Sequence, residues 1–260
     1  MLDLTGRRAL VMGVANDSSI AWGVAQSLAE AGAQLALSFL PDSRGRSEGR
    51  VRRLAEPLGC ELYLPCDVLQ DGDVDRLFEA LREQWGALDI LVHAIAAARS
   101  ADLAGEFTAL SREGFALAQE VSCYSLIAAA RGARSLMAGR QGSIVTVSYL
   151  GSQRTIPNYN VMGVAKAALE SAVRYLALEL GAAGMRVNAV SPGPIETLSS
   201  SVIAGFPEML KQAAERAPLR RNVTAREVGD VVAFLCSDLA RGITGQLLYV
   251  DAGFSSTAGI

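Results

Sequence analysis

The chain has 260 residues, half of them hydrophobic and a fifth charged, with a formal net charge of −3. That composition is globular with ample core, and one large α/β domain spanning 1–260 suits the length better than two. The negative balance offers no basic field for nucleic acid or anionic lipid, and no stretch reaches the roughly 18 uninterrupted apolar residues that span a membrane.

The N-terminus, Met1-Leu-Asp-Leu-Thr-Gly-Arg-Arg8, enters a short apolar run without the core and cleavage site of a secretion signal. Four cysteines (Cys60, Cys66, Cys123 and Cys236) show no C-x-x-C spacing, and with a single histidine, His93, they form no zinc set. A reducing, cytoplasmic location is the expectation. In chain order, residues 9–12, 34–39, 61–64, 88–93, 143–147, 186–190 and 246–250 read as strands, several of them continuously apolar, as strands buried on both faces should be. Helical patterns alternate with them near 20–31, 46–58, 71–85, 112–137, 158–181 and 225–235, the last opening with the capping signature Thr224-Ala-Arg-Glu227. This alternation predicts an α/β fold: a Rossmann-like, doubly wound, seven-stranded parallel sheet with helices on both faces and ligands at the carboxyl ends of the strands.

The first strand runs into Gly13-Val-Ala-Asn-Asp-Ser-Ser19-Ile20-Ala21-Trp22-Gly23. A glycine at the strand exit permits a tight turn, and the following helix N-terminus offers free amides to a pyrophosphate. The spacing is longer than G-x-G-x-x-G and weak as a bare motif. After the second strand, Asp42 can take the ribose hydroxyls of NADH, or Arg44 or Arg46 the 2′-phosphate of NADPH. Asp67, at the end of the third strand beside Val68, suits an adenine ring or a helix cap equally.

Past the fifth strand lie Tyr149, Tyr159 and Lys166. Seven residues make almost two helical turns, so Tyr159 and Lys166 share a face roughly 10 Å apart along the axis. A phenol there can donate to a developing oxyanion while the ammonium lowers its pKa or fixes a sugar hydroxyl. A core tyrosine beside a solvated lysine is the plainer reading of that pair alone. Residues 191–206, opening Ser-Pro-Gly-Pro-Ile-Glu-Thr-Leu, follow a strand end and read as a cover over the site, spanning about 191–210, or as an ordinary surface loop.

Taken together, Ser148-Tyr149-Leu-Gly, Ile156-Pro-Asn-Tyr159-Asn-Val-Met162-Gly-Val-Ala-Lys166, Arg186-Val-Asn-Ala-Val-Ser, Gly193-Pro-Ile195-Glu-Thr197-Leu and Phe234-Leu-Cys-Ser-Asp-Leu resemble the enoyl-acyl-carrier-protein reductases, within the short-chain dehydrogenase/reductase superfamily. The resemblance covers nearly the whole chain. Ketone-reducing relatives carry lysine four residues after the tyrosine; here that position is Gly163. The resemblance implies hydride transfer from NADH, with NADPH not excluded, to Cβ of a trans-2-enoyl thioester on acyl carrier protein or CoA, in the last step of fatty acid elongation. It implies that Tyr159 meets the enolate oxygen, Tyr149 is a second phenol and Lys166 holds the ribose. Gly13, Ser19 and Ile20 would take the pyrophosphate, Asp67 and Val68 the adenine, Ile95 and Ile195 the nicotinamide, and Thr197 a phosphate. Ala97, Tyr149, Met162 and Ile203 would line the acyl channel, with plain core packing the competing role for Met162 and Ile203. Members are often homotetramers. His93 receives no catalytic role.

Three departures stand out. Ala96-Ala97-Ala98-Arg99 replaces a stretch that usually carries a phenylalanine, so an aromatic wall is missing. Ala204-Gly-Phe-Pro207-Glu208-Met209 and Glu196 lack the basic residues that relatives present to the carrier protein, and Leu40 stands where a polar residue often meets the ribose. These motivate two competing functions, reduction of another enone or carbonyl in secondary metabolism and a catalytically silent nucleotide-binding protein.

Overall fold

The computed structural model describes residues 2–257 apart from Glu61, Ser199 and Val202. Seven strands, β1 (Arg8–Met12), β2 (Gln34–Phe39), β3 (Leu62–Pro65), β4 (Ile90–His93), β5 (Ser143–Val147), β6 (Arg186–Pro192) and β7 (Leu247–Val250), form one sheet in the order β3-β2-β1-β4-β5-β6-β7. Every pairing is parallel. Parallel neighbours need long crossovers, and helices supply them: α1 (Ile20–Glu30), α2 (Arg46–Ala55), α3 (Asp71–Trp85), α4 (Arg112–Gln119), α5 (Ser125–Leu136), α6 (Asn160–Gly181), α7 (Phe206–Arg216) and α8 (Ala225–Cys236). The expected α/β doubly wound sheet is the observed one. Glu61, expected to start the third strand, lies outside the described residues.

Side chains alternate between two buried faces, which is why the strand sequences are apolar throughout. Leu10, Met12, Leu91, Ile144 and Val187 meet Leu77 and Leu81 of α3, Ala129 of α5 and Leu169 and Val173 of α6. Ala9, Val11, Ile90, Val92, Val145 and Val190 meet Trp22, Val24 and Leu28 of α1 and Val228 and Val232 of α8. On that second face α1 and α8 touch backbone to backbone. A Cβ on Gly23 would sit 2.4 Å from Ala225 O, and one on Gly229 would sit 2.4 Å from Gly23 O. Ser27 Oγ adds a hydrogen bond to Asp230 Oδ1 at 2.8 Å. Gly23, the last position of the glycine-containing loop motif, therefore serves helix packing.

Strand order reverses between β1 and β4, and this switch point leaves a crevice outside their carboxyl ends. No helix among the described residues is long and apolar enough to cross a membrane.

Several boundaries differ from expectation, each for a local reason. Pro57 ends α2 early, so 56–58 is a 3-10 turn closed by Gly59 at φ +66. The stretch 112–137 is not one regular helix, because a π segment, Glu120–Tyr124, lies between α4 and α5. Tyr159 is the N-cap of α6 and not a residue of its first turn. Helix α7 was not expected, although Pro207 and Glu208 in its first turn and Arg216 in its last are ordinary helix-end signals. The segment 191–210 thus begins inside β6 and ends inside α7.

The Gly229→Val variant should force α8 off α1, at a cost of ~1–3 kcal/mol. Calorimetry should read this as a lowered Tm, by roughly 2–4 °C per kcal/mol for a chain of this size; an unchanged Tm would contradict the close crossing.

Candidate active site

A cleft of about 600 Å³ opens at the carboxyl ends of the central strands. Gly13, Ser19, Ile20, Asp67, Val68, Ile95, Ala97, Tyr149, Tyr159, Met162, Lys166, Ile195, Thr197 and Ile203 line it, whereas Asp42, Arg44 and Arg46, the alternatives offered for the adenosine ribose, do not. The fold gathers the lining residues from the connections after β1, β3, β4, β5 and β6, from the start of α1 and from the first half of α6.

At one end, Gly13 leaves β1 with φ +96, and a Cβ there would lie 2.3 Å from Ala94 O and 3.1 Å from Ile95 Cγ1. Only glycine fits both the left-handed backbone and the closeness of the β4 exit. Ser19 caps α1, accepting from Trp22 N at 3.2 Å while donating to Asn16 O at 2.7 Å. Its hydroxyl fixes the turn that presents the helix N-terminus to the cleft. Asp67 Oδ1 accepts from Leu69 N at 3.0 Å in a turn ahead of α3. The helix cap is instead Gln70, and Asp67 Oδ2 has no partner among the described residues. Asp42 does not face the cleft as a free acid. Its carboxylate accepts from Ser47 N and, at 2.8 Å, from Arg44 N, and the Ser47 contact holds its pKa well below the carboxylate range. It is spent on the turn into α2, while Leu40 on the cleft wall is 64% exposed.

The two phenols meet at the middle, and the amine lines the same cleft. Tyr149 leaves β5, Tyr159 caps α6, and their rings stand edge to face with centroids 4.9 Å apart and planes at 62°. Gly151 and Gly163 make this contact possible. A Cβ on Gly151 would lie 2.5 Å from Tyr159 Cδ1, and a Cβ on Gly163 would lie 2.8 Å from Gly151 O. The position four residues after Tyr159 thus has no room for lysine, and the amine is found one turn further, at Lys166. Lys166 is 4% exposed, and Nζ donates to Val147 O at 2.7 Å. Burial lowers its pKa to about 8, with the carboxylate of Glu170 pulling the other way.

Burial also pushes both phenols up, Tyr149 to about 12 and Tyr159 further, with Tyr149 adding to the latter. Of the two roles expected for the ammonium, lowering the phenol pKa or fixing a sugar hydroxyl, the first is not found: burial and the neighbouring phenol both raise Tyr159. Both hydroxyls stay protonated near neutrality and can act as hydrogen-bond donors to an oxyanion.

The far end is apolar. Leu103, Ala118, Val161, Met162 and Ala165 form a small core to which Ala98, Leu110, Tyr159 and Ile203 are added. Met162 both lines the cleft and belongs to that core. Ala97 is held at its backbone: Ser122 Oγ accepts from its N at 3.1 Å and donates to its O at 3.3 Å. Ser122 sits in the π segment, where the widened turn aims residues at a site, and sequence periodicity gives no sign of it. Phe206 and Leu103 are further wall residues beyond those expected. The segment before α7 is tied down from two sides. Asn158, at φ +61, donates through Nδ2 to Ala204 O at 2.8 Å, and Tyr149 OH donates to Met209 Sδ of α7 at 3.4 Å. Thr197 is engaged locally, its Oγ1 accepting from Ser200 N at 3.1 Å.

Comparison with known proteins gives one consistent result. The Enoyl-(Acyl carrier protein) reductase family matches residues 13–255. The chain is 55% identical over 254 residues to the NADH-dependent enoyl-acyl-carrier-protein reductase of Nostoc sp., covering 98% of each chain. Among solved structures it is similar to the NADH-dependent enzyme of Aquifex aeolicus, with a TM-score of 0.95, 46% identity and 98% of each chain covered. It is equally similar to the Bacillus cereus enzyme, solved with NADP+ and indole naphthyridinone, at a TM-score of 0.95 and 48% identity over 99% of this chain and 100% of that one.

His93 stands apart from the cleft lining. It is fully buried at the end of β4, with Nδ1 2.9 Å from Thr146 Oγ1 and Nε2 2.7 Å from Ser125 Oγ. Burial, aided by the charge of Lys166, lowers its pKa to about 3 from an ordinary 6.5. Below pH 6.5 the unfolded chain therefore takes up a proton that the folded chain refuses, and stability falls as pH drops from there toward about 3. Denaturant titrations should show this acid slope reduced in His93→Gln; an identical slope in both proteins would contradict a buried neutral imidazole.

Proposed function

Because the chain belongs to the Enoyl-(Acyl carrier protein) reductase family, we propose that its cleft performs that family's reaction through the residues assigned below. The protein is an oxidoreductase that reduces the trans-2 double bond of an enoyl thioester with NADH, the last step of fatty acid elongation. Its substrate is carried as the acyl-carrier-protein thioester. The observation that carries the residue assignment is the Tyr149–Tyr159–Lys166 cluster, made possible by glycine at 151 and 163.

The residues present suit NADH. The glycine cradle at Gly13 would be filled by any Cβ, and beside it Ser19 and Ile20 open α1 toward a pyrophosphate. Asp67 Oδ2 and the Val68 side chain would meet the adenine edge and face, Ile95 and Ile195 would hold the nicotinamide end, and Thr197 would take a phosphate. When bound, NADH supplies the hydride that Cβ of the enoyl thioester accepts. Lys166 would hold the ribose hydroxyls and keep positive charge near the site. Tyr159 donates its hydrogen bond to the thioester oxygen as negative charge arrives there, with Tyr149 as the second donor, before Cα is protonated. Because that charge develops away from the carbon receiving hydride, the phenol belongs further along the helix from the amine than in a ketone reductase. Met162, Ile203 and Ala97 line the acyl channel, and residues 191–210 cover it. With Asp42 spent on its turn, NADPH is the second cofactor to test.

The chain acts as a single domain in the cytoplasm and as a homotetramer. In support of the last, Phe115, Tyr124, Ile127 and Val164, on the α4–α5 rod and α6, are between 38% and 43% exposed, apolar surface that a partner subunit would cover.

Purified protein should oxidise NADH when given crotonyl-CoA; turnover only with ketones, or cofactor binding without any turnover, would refute the reading. Tyr159→Phe should lower kcat by about 10²-fold or more, the scale of losing an oxyanion donor, with NADH affinity nearly unchanged. Lys166→Ala should chiefly weaken NADH binding. Equal rates in wild type and Tyr159→Phe would contradict the role of that phenol. Sedimentation should return a tetramer; a monomer at assay concentration would overturn the assembly.

A further inference from the structure

Glu170 is a buried carboxylate, 7% exposed, one helical turn after Lys166 on α6. Its Oε1 accepts from Ser148 Oγ at 2.5 Å and from Ser152 Oγ, and its Oε2 accepts from Gln153 Nε2 at 3.4 Å. Ser148 immediately precedes Tyr149, and Ser152 and Gln153 follow it within four residues. One carboxylate thus gathers both flanks of the loop that carries the second phenol. The same α6 backbone carries Lys166 and is capped by Tyr159.

A buried acid is costly unless its oxygens are satisfied and its charge is matched. Two hydroxyls and an amide meet the first need. The one buried ammonium nearby, Lys166, lies one turn earlier on the same helix with its Nζ bonded to Val147 O, and the Glu170 carboxylate raises its pKa against burial.

We propose that Glu170 is a positioning residue for the reduction: it clamps the Tyr149 loop onto α6 and is the counter-charge that keeps the buried Lys166 protonated. This rests on the reductase reading for its consequence in turnover, but not for its consequence in cofactor binding. The titratable groups facing Lys166 from other elements are Cys123 of the π segment and His93 of β4. Cys123 has its pKa raised by burial and His93 is neutral above about pH 3. Neither supplies charge near neutrality. Around Glu170 stand Tyr249 of β7, whose pKa is raised by burial first and by Glu170 next, and beyond it Asp251 and Arg154. Lys166 and Glu170 are therefore the interior pair whose charges answer each other.

The sign is fixed by that pairing. Burial alone drives the amine toward neutrality, and Glu170 opposes it. Neutralising the acid as Glu170→Gln keeps its shape and a hydrogen-bond acceptor but removes the charge, so Lys166 loses its proton at lower pH. NADH affinity, measured by fluorescence without thioester from about pH 6 to about pH 10, should fall at high pH in the wild type. In Glu170→Gln that alkaline midpoint should move down by about one unit, the small end of an adjacent-charge effect. A folded Glu170→Gln with the wild-type midpoint would overturn the counter-charge role, since a merely structural contact would change Tm and leave the midpoint in place.

Ser152→Ala tests the clamp separately and without changing any charge. It should leave the NADH profile unchanged and lower kcat with crotonyl-CoA several-fold; wild-type kcat would overturn the clamp. Should Glu170→Gln not fold, Glu170→Asp replaces it, retaining the charge on a shorter arm: the expected result is a wild-type midpoint with reduced kcat, and a wild-type kcat would overturn the clamp. Absence of thioester turnover in the wild type would count against the reductase reading alone, because the cofactor profile is read without thioester.

Discussion

The close seating of α6 on the loop that leaves β5 is the constraint on which this cleft depends. Two glycines permit it. Gly163 on the helix meets Gly151 O on the loop, and Gly151 in turn lies against the ring of Tyr159. With any larger residue at either place, the helix and loop would separate, and the edge-to-face contact of Tyr149 and Tyr159 would open. The same seating forbids a side chain four residues beyond Tyr159 and leaves Lys166 as the amine, where Val147 O receives it. Steric exclusion sets this spacing, and the proposed reaction asks for the same one, because the acceptor oxygen of a conjugated thioester lies away from the carbon that takes hydride.

Burial sets the electrostatics of the centre. Removal from water raises both phenols and lowers the amine, so neutral hydroxyls sit beside an ammonium that needs a nearby carboxylate. Such a site favours negative charge that appears during reaction over charge already present, because its donors are fixed in advance and little water competes with them. The apolar wall from Met162 to Phe206 continues this dry environment toward the acyl end. The Tyr149 contact with Met209 links it to α7, so the start of α7 and the second phenol are mechanically joined.

Much of the fold was legible because strands buried on both faces are apolar throughout, and the helices between them end at glycines such as Gly59 and Gly86 that adopt left-handed conformations. The candidate residues were legible for a different reason: they fall at strand exits and helix starts, where a doubly wound sheet must place its ligands. What escaped was tertiary. The π segment changes one hydrogen-bond register without a marked residue, so the placement of Ser122 beside Ala97 could not be read. Asp42 looked like a free acid because its role depends on the turn into α2, formed by Ser47 five residues on. The function of Gly23 against Ala225 depends on a helix two hundred residues away, and that of Glu170 on Ser148 and Ser152, which only the fold brings to α6. Helix α7 was the exception, since its end signals were present in the sequence.

The seating of α6 can be probed at one atom. In Gly163→Ala, the added methyl meets Gly151 O at 2.8 Å and must shift the phenol relative to the bound thioester. The account predicts a folded protein whose kcat with crotonyl-CoA falls on the order of 100-fold, the scale expected for a misplacement of about 1 Å. Wild-type kcat in a Gly163→Ala protein of unchanged Tm would contradict it.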